Sequence, residues 1–206
     1  ISGPASWLVG HPGHNEAMKA FVPHWDVVGV EASFETVPEI NTFAKPLMEE
    51  RRSAVLVGLE TYFYVPNEVL RWRGYRSILN GATGIGLCPS GMMQSRPDKV
   101  NYLRGLNGEF RGLAPVLVAD EPKEKLTVDS DLVETLERLH EGKRYVIAVK
   151  VRDAPGPLKV NLGFPKGIRC STVKVRFEGR AIRPSVTGFE DDFTPARAVH
   201  VYELPP

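Results

Sequence analysis

Four short apolar runs punctuate the first half of the chain: Trp7-Leu8-Val9-Gly10-His11-Pro12, Val27-Val28-Gly29-Val30-Glu31-Ala32, Leu56-Val57-Gly58-Leu59-Glu60-Thr61 and Gly84-Ile85-Gly86-Leu87-Cys88-Pro89. Each carries a glycine in the same place, at Gly10, Gly29, Gly58 and Gly86, with gaps of 19, 29 and 28 residues. Those gaps have the length of a strand–helix unit. Continuous apolar runs too short for a helix suit parallel strands buried on both faces. The stretches between them predict helices. Asn15 caps one through about Val22. Thr36-Val37-Pro38-Glu39 has capping-box spacing and opens a second helix reaching about Arg52, kinked near Pro46. A third runs from about Pro66 to Leu79 and ends at Asn80-Gly81. In the fourth, Val100, Leu103, Leu106, Phe110 and Leu113 recur at spacings of three and four until Pro115 stops the pattern.

The pattern changes across the polar stretch Asp120–Lys125, which contains Pro122 and reads as a domain boundary. Beyond it come short strands between turns: Arg144–Val151 beside the turn Glu141-Gly142, then Leu158–Leu162, Thr172–Phe177 and Ala198–Tyr202. Val173, Val175 and Phe177 alternate with Lys174 and Arg176, the period of a strand with one buried face. The fold class expected is therefore α/β plus all-β. Residues 1–120 form four parallel βα units, and residues 121–206 form a small antiparallel β-sandwich.

Composition narrows the function. The chain has 26 Lys plus Arg against 25 Asp plus Glu, a formal charge of +1, so the basic excess of a nucleic-acid binder is missing. Nothing favours a membrane partner either, because runs such as Ala54–Leu59 fall far short of the roughly 20 apolar residues of a span. Two cysteines, Cys88 and Cys170, allow at most one bridge and no disulfide framework. With 206 residues, a closed eight-unit barrel of about 250 residues does not fit beside a second domain.

Candidate chemistry gathers where the strands end. Residues two apart on a strand share a face, so each glycine shares one with Pro12, Glu31, Glu60 or Cys88. In parallel sheets, ligands bind at the carboxyl ends of strands. Glu31 and Glu60, at matching heights on neighbouring strands about 4.8 Å apart, would bring two carboxylates to roughly 5–7 Å. Retaining glycosidases use a separation of about 5–5.5 Å, one carboxyl as acid and one as nucleophile. The competing reading has each glutamate pairing with an arginine or capping a loop. Tyr62 and Tyr64, with Phe63 between them, offer aromatic faces on which a sugar ring stacks, or else pack their own loop. His11, His14 and Asn15 follow the first strand as hydrogen-bonding groups for a polar ligand, against a plain loop role. Their spacing lacks the helical i, i+4 pair and third ligand of a zinc site, so no metal is expected, nor any cofactor. Trp72 and Tyr75 lie within a helical pattern and belong to the core. Cys88 has no histidine–acid company and reads as a buried thiol. Ser90-Gly91 lacks the G-x-S-x-G elbow.

The stretch Gly74–Gly86, with its Gly81-Ala82-Thr83-Gly84-Ile85 ending, resembles the helix feeding the eighth strand of many (β/α)8-barrel glycoside hydrolases. Leu103–Leu117 is similar to their last barrel helix. Phe193–Tyr202 resembles the final strand of the β-sandwich that often follows. This resemblance implies that the chain is the C-terminal half of such a barrel with its sandwich domain, its four strands standing for strands five to eight. It further implies a glycoside hydrolase acting on a carbohydrate or glycoside. Glu60 then takes the nucleophile position of the retaining clan whose catalytic glutamates lie on strands four and seven. The strand-four acid/base is not in this sequence, and Glu31 is the remaining candidate. Half a barrel leaves two open edges, so the expected partner is a second copy or the missing N-terminal half-barrel. The alternative is a non-catalytic carbohydrate-binding or structural module that needs that partner.

Overall fold

The computed structural model describes residues 7–10, 27–32, 54–60, 65–88, 96–152 and 154–205, with the first three segments and residues 87–88 described as backbone. The helices expected over 15–22 and 36–52 lie outside these residues. All four apolar runs are strands: β1 (Trp7–Gly10), β2 (Val27–Ala32), β3 (Ala54–Glu60) and β4 (Gly84–Cys88). They form one sheet in the order β1-β2-β3-β4, every pair parallel.

Helix α1 (Asn67–Leu79) follows Pro66 and carries Glu68 in its first turn and Arg76 in its last, each sign matched to the helix dipole. Trp72 and Tyr75 are fully buried, as their helical spacing required. The helix stops where Asn80 Nδ2 donates to the Arg76 carbonyl at 2.7 Å and Gly81 takes a φ of 93°. Helix α2 (Pro97–Leu117) starts with proline at its first position, where a missing N–H costs nothing. The hydrogen bond from Arg96 holds the Asp98 carboxyl down at about 2 in this first turn. Pro115 does not end the helix as expected. It sits in the last turn, so only a terminal hydrogen bond is lost and the buried stripe Leu106, Leu113, Val116 continues past it.

The chain divides into two compact units, Ile1–Leu103 and Arg104–Pro206, so the division falls within α2, ahead of the polar stretch at 120–125. Among its described residues the second unit holds eight strands: β5 (Thr127–Val128), β6 (Val133–His140), β7 (Lys143–Lys150), β8 (Lys159–Gly163), β9 (Val173–Arg176), β10 (Arg180–Ile182), β11 (Gly188–Asp192) and β12 (Val199–Leu204). They make two antiparallel sheets, ordered β10-β9-β12-β7-β6 and β11-β8-β5. One apolar core joins the sheets: Val146, Ala148, Val173, Val175 and Tyr202 from the first, Val160, Leu162 and Phe189 from the second. That is the sandwich the alternation predicted.

Strand β6 has no counterpart among the expected strands. Its sequence Val-Glu-Thr-Leu-Glu-Arg-Leu-His mixes the helix formers Glu, Leu and Arg with the strand formers Val and Thr. Pairing along its full length with β7 makes it a strand, and Glu141 and Gly142, both at positive φ (49° and 65°), make the two-residue turn that matches strand twist. Phe177 is a second departure. It does not continue the buried face of Val173 and Val175 but leaves the strand at φ 66° and stands 40% exposed. Cys170 is free, its thiol donating to the Thr172 carbonyl at 2.9 Å.

A polar knot ties the sheets together. Asp191 of β11 accepts a two-pronged pair from Arg180 of β10 (2.9 and 2.7 Å) and a third bond from the Tyr202 hydroxyl of β12 (2.9 Å). Burial works to raise the Asp191 carboxyl, but the Arg180 and Tyr202 bonds prevail and hold it below the ordinary range. Burial first, then the charge of Asp191, pushes the Tyr202 hydroxyl far up.

Gly188 lies hard against the backbone of Leu162 and Gly163 in β8. Its φ is 153°, and a Cβ there would overlap the Leu162 carbonyl oxygen. Gly188→Ala should therefore cost about 1–3 kcal/mol, read as a lower urea midpoint. An unchanged midpoint would mean that the β8–β11 pair opens without penalty.

Candidate active site at the carboxyl ends of the parallel sheet

Because the strands of the first sheet are parallel, their carboxyl ends share one rim. Glu60 is the last residue of β3 and Glu31 the last but one of β2. The hydrogen-bond register sorts the sheet into two faces. One carries Leu8, Val28, Val30, Val55, Val57, Leu59, Ile85 and Leu87, an apolar and largely branched surface suited to helix packing. The other carries Trp7, Val9, Val27, Ala54 and Leu56 in its deeper rows, and Gly29, Gly58, Gly84, Gly86 and Cys88 with both glutamates. One row across that face reads Glu31–Gly58–Gly86; the next row towards the rim reads Glu60–Cys88. Small residues thus surround two acidic positions on one face of the sheet.

The register corrects the expectation of matching heights. Gly29 pairs with Leu56 and not with Gly58, a slip of two residues between β2 and β3. Two residues preserve the face, since side-chain direction has a period of two, but they set Glu31 one row below Glu60. At about 3.3 Å per residue and 4.8 Å between strands, the two backbone positions stand roughly 8 Å apart. A slip of one residue has the opposite effect in β1: Gly10 pairs with Val30 and so falls on the apolar face, away from the other glycines. His11, His14, Asn15, Tyr62 and Tyr64 lie outside the described residues.

Lys99 was not singled out in the sequence. It is 4% exposed, and its Nζ donates to the Val65 carbonyl and, at 2.9 Å, to Asn67 Oδ1. Burial, then the nearby Arg96 charge, lowers its ammonium below the ordinary value. It thereby pins the chain five to seven residues beyond Glu60, at the entrance to α1. A lysine in the first turn of an exposed-looking helix start carries no sequence signal for this role.

No protein-family model matches the chain, and no curated protein matches it. Solved structures do. A GH30 endoxylanase from Clostridium papyrosolvens C71 is 15% identical with a TM-score of 0.56, over 90% of this chain and 50% of that one. A maltogenic alpha-amylase from Thermotoga neapolitana is 12% identical with a TM-score of 0.55, over 96% and 54%. A putative alpha-galactosidase from Bacteroides fragilis is 10% identical with a TM-score of 0.58, over 97% and 47%. At these identities the likeness is one of fold. This chain spans about half the length of each of these glycoside hydrolases while nearly all of its own length takes part in the match.

Proposed function

We propose that this chain is the C-terminal portion of a retaining glycoside hydrolase acting on a carbohydrate or glycoside. The observation that carries this reading is the placement of Glu60 at the carboxyl end of β3, with Glu31 one row deeper on the same face of a sequential parallel sheet and glycines beside both. The fold shared with glycoside hydrolases over half their length supports it. In this reading β1 to β4 are strands five to eight of a barrel. Among the described residues β1 and β4 each pair with one neighbour, and four further parallel strands would close the sheet. Those strands come from an N-terminal half or from a second copy.

The Glu60 carboxylate attacks the anomeric carbon as the glycosidic bond breaks, and a carboxylic acid gives its proton to the departing oxygen. Water then displaces Glu60, with the second group now taking the proton. Glu31, one row deeper, holds sugar hydroxyls or serves as that second group. His11, His14 and Asn15 hydrogen-bond the substrate, and Tyr62 and Tyr64 stack on it.

The single-neighbour pairing of β1 and of β4 among the described residues also fits one other reading, a non-catalytic module that binds carbohydrate or supports a partner half-barrel. Measuring solution mass and following the anomer released from aryl glycosides by NMR separates the two. A dimer, or the chain joined to its other half, should release product with retained configuration. Inverted product overturns the retaining mechanism, and a strictly monomeric, inert particle favours the module.

A further inference from the structure

We propose that one end of the outer face of the five-stranded sheet, where Lys143, Lys174 and Arg176 converge on Glu203 beside Phe177, binds an acidic polysaccharide, a chain of pyranose rings bearing carboxylates. The site lies in the second unit and does not require Glu60 to be a nucleophile.

The register sets these residues side by side, since Glu203 of β12 pairs with Lys174 of β9 and with Tyr145 of β7, two residues beyond Lys143. The Glu203 side chain is only 7% exposed. It receives Arg176 Nη1 at 2.7 Å on one oxygen and Lys143 Nζ at 3.0 Å on the other, with Lys174 Nζ at 3.9 Å. Burial works to raise its carboxyl, but the Arg176 and Lys143 bonds outweigh it, so the group stays ionised. Three positive groups thus meet one negative one, and two charges remain uncompensated. Lys143 and Lys174 are 48% and 69% exposed, and an ammonium has three donors, so both can bind Glu203 and a further oxyanion.

Lys143, Lys174 and Thr172 line a cavity of about 330 Å³ with Leu204 and Pro205 as its apolar wall and Glu203 as the only carboxylate among the described lining residues. That volume is within the range of small-ligand sites. Beside it, the Arg176 guanidinium lies 5.4 Å from the centre of the Phe177 ring. A bulky residue at φ 66° is a genuine outlier, and backbone strain of this kind collects at ligand clamps. The strain keeps an aromatic ring in solvent next to a cationic hollow. The ring suits the apolar face of a sugar, and the ammonium groups suit its carboxylate.

Calorimetric titration of the 206-residue chain with a galacturonic acid trimer tests this, with the neutral galactose trimer and tripolyphosphate as comparisons. The acidic trimer should bind, and the neutral one should not. The double variant Lys143→Ala/Lys174→Ala should weaken binding at least tenfold. Phe177→Asn should weaken it similarly while its Tm holds or rises, because asparagine tolerates the left-handed backbone. The proposal is overturned by an absence of binding, by unchanged affinity in either variant, or by tripolyphosphate binding as tightly as the uronate.

Discussion

Glu60→Gln should lower turnover of aryl glycosides on the order of 10³-fold in the assembled enzyme, about 4 kcal/mol of lost transition-state stabilisation. On the proposed retaining mechanism, glutamine keeps the size of the side chain and removes the nucleophile, so the glycosyl-enzyme intermediate cannot form. Substrate affinity should change little, because the amide still offers an oxygen and an N–H to sugar hydroxyls. The same exchange at Glu31 should cost less, since its row lies two residues short of the rim row. Steady-state kinetics on a panel of aryl glycosides decides the matter: turnover retained in Glu60→Gln sinks the assignment. A larger loss in Glu31→Gln than in Glu60→Gln would exchange their roles.

The largest stability effect is expected at Glu137. This residue is 1% exposed within the sandwich, where one carboxylate oxygen accepts the Leu126 N–H at 2.8 Å and the other accepts Arg144 Nη1 at 2.7 Å. Glu137→Ala leaves a buried guanidinium without its counter-charge and an amide without its acceptor, at a cost of about 3–5 kcal/mol. The double variant Glu137→Leu/Arg144→Leu should regain most of that, because it removes both charges together. Burial, outweighing the Arg144 and Leu126 bonds, holds the Glu137 carboxyl above its ordinary value of 4.5. The folded state therefore binds the proton more tightly than the unfolded one. The stability linked to that proton is full below the ordinary value and declines as pH rises through the folded one, opposite in sign to Asp191 and Glu203, while the ion pair with Arg144 forms only as the proton leaves. Urea midpoints of the three proteins at two pH values check this. Equal midpoints for wild type and Glu137→Ala would show that the pair contributes nothing.

Much of the architecture was legible because it rests on local pattern. The apolar runs at 7–12, 27–32, 56–61 and 84–89 could be little else than strands, and the spacing of Leu103, Leu106 and Leu113 fixed α2. The sandwich strands showed through alternation at Val173 and Val175. What stayed hidden depends on partners distant in sequence. The two-residue slip between β2 and β3 is a property of the pair, so glycines aligned along the sequence need not align across the sheet. β6 shows no clean alternation of its own, and its pairing with β7 along its whole length makes it a strand. Phe177 fits the alternation of its neighbours, yet the turn needs a residue at positive φ there. Of the candidate site, Glu31 and Glu60 could be placed at strand ends from periodicity alone. Their relative height could not, and neither could the hold of Lys99 on the chain after β3.

The knot of Arg180, Asp191 and Tyr202 bears on how the sandwich comes apart. Parting the two sheets would break all three bonds to the buried Asp191 in a single step and leave the Tyr202 phenol without its partner, although Arg180, 36% exposed, keeps Glu178. Peeling β11 away by itself is thereby removed from the low-energy excursions of the domain, and its amides are coupled to global unfolding. To a protease this half of the molecule is either whole or fully open.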